Sequence, residues 1–90
     1  MARPKKLKNV ELRLKCEDFV PIVPVCLETL YLEKEELEAL RLKDVLALEQ
    51  KKAAQVMGIS QPTFHRILLK ARRKVSEAIV EAKELKIKNY

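Results

Sequence analysis

Apolar and polar residues alternate at both ends of this chain and follow a helical rhythm between them. From Asn9 to Lys15, Val10, Leu12 and Leu14 take turns with Glu11, Arg13 and Lys15. That period of two predicts a short, half-buried strand. Leu85 and Ile87 alternate with lysines in the closing ELKIKNY, so a second short strand is expected there, placed to pair with the first within or between subunits. The apolar stretch DFVPIVPVCLETLYL, 18 to 32, has Pro21 and Pro24 inside it. Proline suits neither a helix interior nor a central strand, so this stretch is expected to be an ordered, extended connection.

Three helices are expected between these ends. The first covers 33 to 46, EKEELEALRLKDVL, with glutamates in its first turn and bases later, the order that the helix dipole favours. Leu37, Leu40, Val45 and Leu48 are expected to face a core, with Leu42 and Leu46 on another side, so this helix should be buried from two directions. The second runs from about Glu49 to Met57, and its start is weakly signalled because glutamate is a poor N-cap. The third opens at Ser60 and runs to about Lys83; Ser60 is a good N-cap, and Pro62 is tolerated in the first turn. Phe64, Ile67, Leu68, Ala71, Val75, Ala78 and Ile79 form one apolar stripe along it. The expected fold is all-α, a three-helix domain with short extended or strand segments at both termini. It is one domain, 1–90: a basic arm and extended connection over 1–32, a helical core over 33–83, and a terminal strand or tail over 84–90.

Composition agrees with a helical reading and narrows the partner. A chain of 90 residues with one glycine and a 48% hydrophobic fraction is a folded, largely helical domain. Its small size limits the core it can bury, so self-association is expected to help it. The net charge of +6 is unevenly placed. Six bases face one acid between Arg3 and Lys15, five bases face none between Arg66 and Lys74, and six acids face three bases between Glu33 and Glu49. Two basic ends around an acidic middle suit a polyanion, above all nucleic acid. A basic surface kept for solubility is the plainer explanation. Cys16 and Cys26 lie far from any CxxC spacing, and His65 is the single histidine, so no metal site or cofactor is expected. The same poverty leaves no catalytic constellation, and an enzyme is not expected. The start MARPKK lacks the apolar core of a leader, and no apolar run approaches the ~20 residues that cross a bilayer. A cytoplasmic protein with reduced thiols, away from membranes, is expected.

The most specific signal surrounds the single glycine. Counting from Gln50 as one, Ala54 falls fifth, where a small side chain lets two helices approach, and Gly58 falls ninth, where the turn needs positive φ. Ala53, Met57, Ile59, Phe64 and Ile67 occupy the inward places of the same frame. Together they predict a helix-turn-helix over about 50–71, with an unrelated αα-hairpin as the rival. The face of the third helix away from its apolar stripe carries the candidate DNA-binding residues. Gln61, Thr63, His65 and Arg66 sit in the first turns, where they would reach base edges. Lys70, Arg72 and Arg73 lie further along, where they would meet phosphates, and Ser60 with the free first-turn N–H groups would hold another. Arg3, Lys5 and Lys6 form an arm suited to an adjacent groove. Each has a duller reading: Arg72, Arg73 and Lys74 as a solvated face, His65 as a plain surface residue, the arm as an untethered tail. Leu69, apolar on the proposed DNA side, would touch a thymine methyl or another subunit.

The start MARPKK, the segment ELEALRLKD and the long stretch AAQVMGISQPTFHRILLKARRKV together resemble a family of small prokaryotic proteins regarded as DNA-binding, whose helix-turn-helix is similar to region four of sigma-70-type sigma factors. The resemblance covers roughly residues 1 to 87. It implies a winged-helix-like or sigma-region-four-like fold and a role in transcription, with a recognition helix that begins at Ser60 and Gln61 and runs through Thr63, Phe64 and Arg66. The chain departs from the family at 47 to 52, ALEQKK, where relatives carry a glycine loop and a serine cap, and around Cys16 to Leu30. The expected function is sequence-specific binding of double-stranded DNA by a homodimeric transcriptional regulator, with the transcription machinery as a further contact. The alternative is a helical adaptor for RNA or an acidic protein.

Overall fold

In the computed structural model, residue 10 and residues 16–22 and 28–88 are described. Two short strands, β1 (Asp18–Phe19) and β2 (Thr29–Leu32), precede α1 (Lys34–Leu40), which continues into a π-helical turn, Arg41–Val45. Then come α2 (Gln50–Met57), α3 (Gln61–Val80) and β3 (Glu84–Ile87). The molecule is mostly helical, with a small three-stranded sheet in the order β1-β3-β2.

The helix starts follow the chemistry of their first turns. At α1, Glu33 and Glu36 form a capping box, in which the Glu33 N–H donates to Glu36 Oε1 at 2.9 Å. At α3, the Thr63 N–H donates to Ser60 Oγ at 3.3 Å. Glu49 precedes α2 without a side-chain cap. The ends are less regular than expected. The expected helix over 33–46 is α-helical only as far as Leu40, and α3 stops at Val80 rather than near Lys83. In the π-turn, the Leu46 N–H reaches back to Arg41 O at 2.8 Å, and the Leu48 N–H to Leu42 O at 3.0 Å. The wider turn advances each residue less around the axis, so positions beyond Leu40 rotate away from an α-helical wheel. Val45, expected in the core, is therefore 75% exposed, while Leu42, expected on the helix's other apolar side, is 2% exposed.

Two adjoining apolar clusters make the core. Ala39, Leu42, Ala53, Ala54, Met57, Phe64 and Leu68 lock α1, α2 and the first half of α3 together. Leu32, Ala71, Ala78, Leu85 and Ile87 join the second half of α3 to the sheet. Leu40 packs on both clusters, so α1 is indeed covered from two directions. The stripe along α3 is inward as expected except at Ile79, which is 76% exposed. The sheet packs on α3 through Ala71, Val75 and Ala78, and Ile79 falls beside that contact on the rim of a groove.

The sheet differs from the expected pairing of the chain ends. β3 forms where alternation placed it, but its partners come from the stretch expected to be a connection. Asp18 and Phe19 pair antiparallel with Lys86 and Leu85, and β2 runs parallel to β3, with Thr29 opposite Glu84 and Leu32 opposite Ile87. Within TLYL, Leu30 and Leu32 pack on the second cluster while Tyr31 is exposed, a period of two concealed in a longer apolar run. The strand expected over 9–15 lies outside the described residues except for Val10.

Ion pairs to two buried carboxylates brace the fold. Lys74 of α3 donates to Tyr31 O at 2.7 Å and to the buried Glu36 carboxylate at 2.8 Å, joining α3, β2 and α1. Glu38, also buried, accepts from Arg41 Nε at 2.8 Å and Nη2 at 3.2 Å. Arginine's two-pronged geometry suits a carboxylate that has been taken out of water.

Candidate nucleic-acid interface

The α2–turn–α3 unit is built on Gly58. Its φ of 70° and ψ of 32° lie in the left-handed region, where a side chain would crowd the backbone. The Gly58 N–H donates to Gln55 O at 3.0 Å and the Ile59 N–H to Ala54 O at 3.1 Å, closing the end of α2. Ala53, Ala54 and Met57 on α2 are buried with Phe64 and Leu68 on α3. The small alanines allow the close approach, and the opposite face of α3 remains uncovered.

That uncovered face carries most of the expected residues. Ser60, Gln61, His65, Arg66, Lys70, Arg72 and Arg73 are exposed, and Thr63 is half-buried. Ser60, Thr63 and Arg66 form a short polar chain: Ser60 Oγ donates to Thr63 Oγ1 at 2.9 Å, and Arg66 Nη2 donates to the same oxygen at 3.5 Å. The first bond anchors the hydroxyls to the helix start, and the second aligns the guanidinium beside them. His65 lies on another line of the helix, its Nδ1 at 3.2 Å from Gln50 Nε2 of α2.

Arg72 stands apart from this group. Its guanidinium donates to both Asp44 oxygens, at 2.6 and 3.1 Å, so α3 is pinned to the π-turn. That hydrogen bond holds the Asp44 carboxyl below its ordinary range and pushes Arg72 higher still. Arg72 meets a phosphate only by leaving this carboxylate. Arg3, Lys5 and Lys6 lie outside the described residues. A groove beside the exposed face of α3 adds an electrostatic boundary: Thr63, Arg66, Leu69 and Lys70 line one side, and Glu33, Glu35 and Glu36 at the start of α1 line the other. An anion is drawn to the Arg66 side and repelled from the α1 side.

Gln50 and Asp44 are the two residues that sequence reasoning gave no part in this surface. Gln50 opens the frame of spacing, and the turn at Gly58 swings it over the second turn of α3. Asp44 reaches Arg72 only because the π-turn redirects it, and no residue pattern announces that turn. Among the described residues, no group of three or more His, Cys, Asp and Glu side chains is arranged to hold a metal ion. No described helix is long and apolar enough to cross a membrane.

The chain matches, over residues 1–89, the family described as protein of unknown function DUF134. A UPF0251 protein of Chloroherpeton thalassium is 48% identical over 89 residues, covering 97% of this chain and 59% of the relative. A UPF0251 protein of Desulforudis audaxviator is 47% identical, with coverage of 97% and 58%. One from Thermoanaerobacter pseudethanolicus is 43% identical over 94 residues, covering all of this chain and 80% of the relative. The chain thus spans about three-fifths of the length of the first two relatives. No solved structure matches it. With its whole helical unit and sheet inside the matched span, the chain belongs to the DUF134 family.

Proposed function

We propose that this chain binds double-stranded DNA sequence-specifically, with α2 and α3 acting as a helix-turn-helix similar to sigma region four, in a cytoplasmic transcriptional regulator. One observation carries the reading. Gln61, His65, Arg66, Lys70 and Arg73 are exposed on a helix whose opposite face, Phe64, Leu68 and Ala71, is buried against the rest of the fold. Such a helix offers donors to base edges from its first turns and bases to phosphates further along. Arg3, Lys5 and Lys6 extend the basic footprint in sequence, and the transcription machinery is a further proposed contact. The regulator works as a homodimer. A groove lined by Phe19, Val20, Leu37, Val75 and Ile79 leaves apolar surface uncovered among the described residues, which favours self-association.

A salt titration of duplex binding tests the DNA reading, since counterion release makes affinity fall steeply with salt. Absence of salt-dependent duplex binding rejects it. The second reading, an adaptor for RNA or an acidic protein, draws on the exposed bases Arg66, Lys70 and Arg73, which suit any polyanion. Competition among duplex DNA, structured RNA and an acidic protein separates the two. Sedimentation at several concentrations tests the homodimer.

A further inference from the structure

We propose that Gln50 is a positioning residue that fixes the tautomer of His65, so that His65 presents its Nε2–H to a purine N7 in the major groove. The proposal rests on the DNA reading above and adds a residue on α2 and a defined chemical preference.

The geometry sets the proton. Gln50 Nε2 is an amide nitrogen with hydrogens to donate and no lone pair to offer, and it lies 3.2 Å from His65 Nδ1. Nδ1 is therefore the acceptor. A neutral imidazole carries a single ring proton, so that proton is on Nε2, at the far side of the ring from Gln50. Gln50 is half-buried as the first residue of α2, whereas His65 is exposed on α3, so the firmer residue orients the freer one. Gln61 and Pro62 complete the shallow hollow in which the ring sits. Holding the ring before the partner arrives lowers the conformational entropy lost on binding.

A fixed Nε2–H is only a donor, and this decides what His65 recognises. Of the groups on the major-groove edges, purine N7, guanine O6 and thymine O4 accept, while the exocyclic amines of adenine and cytosine donate and are refused; N7, the acceptor that both purines present, is the one assigned to His65. His65 lies in the first turns of α3, the part of a recognition helix that reaches base edges rather than the flanking phosphates.

Because His65 is the chain's single histidine, its ring nitrogens give one uncluttered pair of nitrogen-15 NMR signals. At a pH that keeps the ring neutral, the wild type is expected to show a protonated Nε2 and an unprotonated Nδ1. Gln50→Ala should move both signals toward the exchange average, and Gln50→Glu, which supplies an acceptor, should move the proton toward Nδ1. Identical signals in all three proteins overturn the positioning role. For base reading, purines in a duplex selected from a random pool are replaced singly by their 7-deaza analogues. At one position the wild type should lose about tenfold in affinity while His65→Ala loses nothing further, in line with a single base contact. Duplex binding that persists with no such position, or with the same loss in His65→Ala, overturns the N7 assignment. Absence of duplex binding altogether overturns the DNA reading and base recognition with it; the NMR signals then report on the Gln50 contact alone.

Discussion

Gly58→Ala isolates a conformational cost with little change in chemistry. The residue ends α2 with φ 70° and ψ 32°, and α3 begins only after Ile59 and Ser60. A Cβ in that left-handed region costs about 1–2 kcal/mol. Alanine also narrows the unfolded ensemble, which returns about 0.4–1 kcal/mol, so the expected net loss is about 1 kcal/mol. In a domain of this size that lowers the melting temperature by about 4–8 °C. The structure supplies its own control, because Ala47 already holds φ 60° at an exposed position after the π-turn. Ala47→Gly removes the same crowding without removing buried surface, and should be neutral or stabilise by up to about 1 kcal/mol. Urea unfolding followed by circular dichroism measures both, with an unchanged slope showing that the same surface is exposed. If Gly58→Ala is as stable as the wild type, or Ala47→Gly is as harmful as Gly58→Ala, the left-handed conformation is not what governs these helix ends.

The remaining predictions concern charge. Arg66→Ala should weaken binding to the preferred duplex by about 1–3 kcal/mol and relax its specificity, read by gel shift against a set of single-site variants. Replacing Arg3, Lys5 and Lys6 should lower affinity evenly across sequences and flatten the salt dependence, measured by fluorescence titration over a salt series. Lys74→Met leaves the Glu36 carboxylate without its lysine; Lys74 is 24% exposed, so the expected loss is about 2 kcal/mol, below that for a fully buried pair. Adding Glu36→Gln should recover part of it in a thermal melt. Asp44→Asn should release Arg72 and steepen the salt dependence of duplex binding by about one unit if Arg72 then reaches a phosphate. The same variant has a pH signature. Asp44 is depressed in the folded protein by its hydrogen bond from Arg72, so its contribution is present above the unfolded value of about 3.9 and fades as pH falls through the lower folded value. Asp44→Asn should lack that part of the acid-induced loss, as acid titrations of both proteins will reveal.

The features legible in the sequence were those carried by local chemistry. Gly58, capping by Ser60 and the inward faces of α2 and the first half of α3 each depend on a residue type at its own place, and all are found where spacing put them. What escaped was decided between distant segments or by the backbone alone. A π-turn needs no special residue, so the exposure of Val45 had no advance sign. The alternation in TLYL is hidden at the end of an apolar run broken by two prolines, and it becomes a strand because β3 is there to pair with it. Helix ends show the contrast well. Ala47 and Ala82 take the left-handed conformation that Gly58 takes, and the Lys83 N–H reaches back to Ala78 O as the Ile59 N–H does to Ala54 O, yet an alanine gives no hint of it. Of the candidate surface, the exposure of Arg66 and Lys70 followed from the helical stripe, whereas the diversion of Arg72 to Asp44 required the turn that no pattern revealed.

The order of strands bears on how the chain folds in time. β3 is the central strand, and it joins β2 only after α1, α2 and α3 have intervened; the Thr29–Glu84 hydrogen bond alone spans 55 residues. Closing so long a loop is entropically costly, while the contacts across Gly58 are nearly local. The helical unit around Gly58 should therefore assemble first, and the sheet should zip onto α3 as the slower event. The half of the molecule that carries the proposed reading helix is then the half that forms without waiting for the ends of the chain.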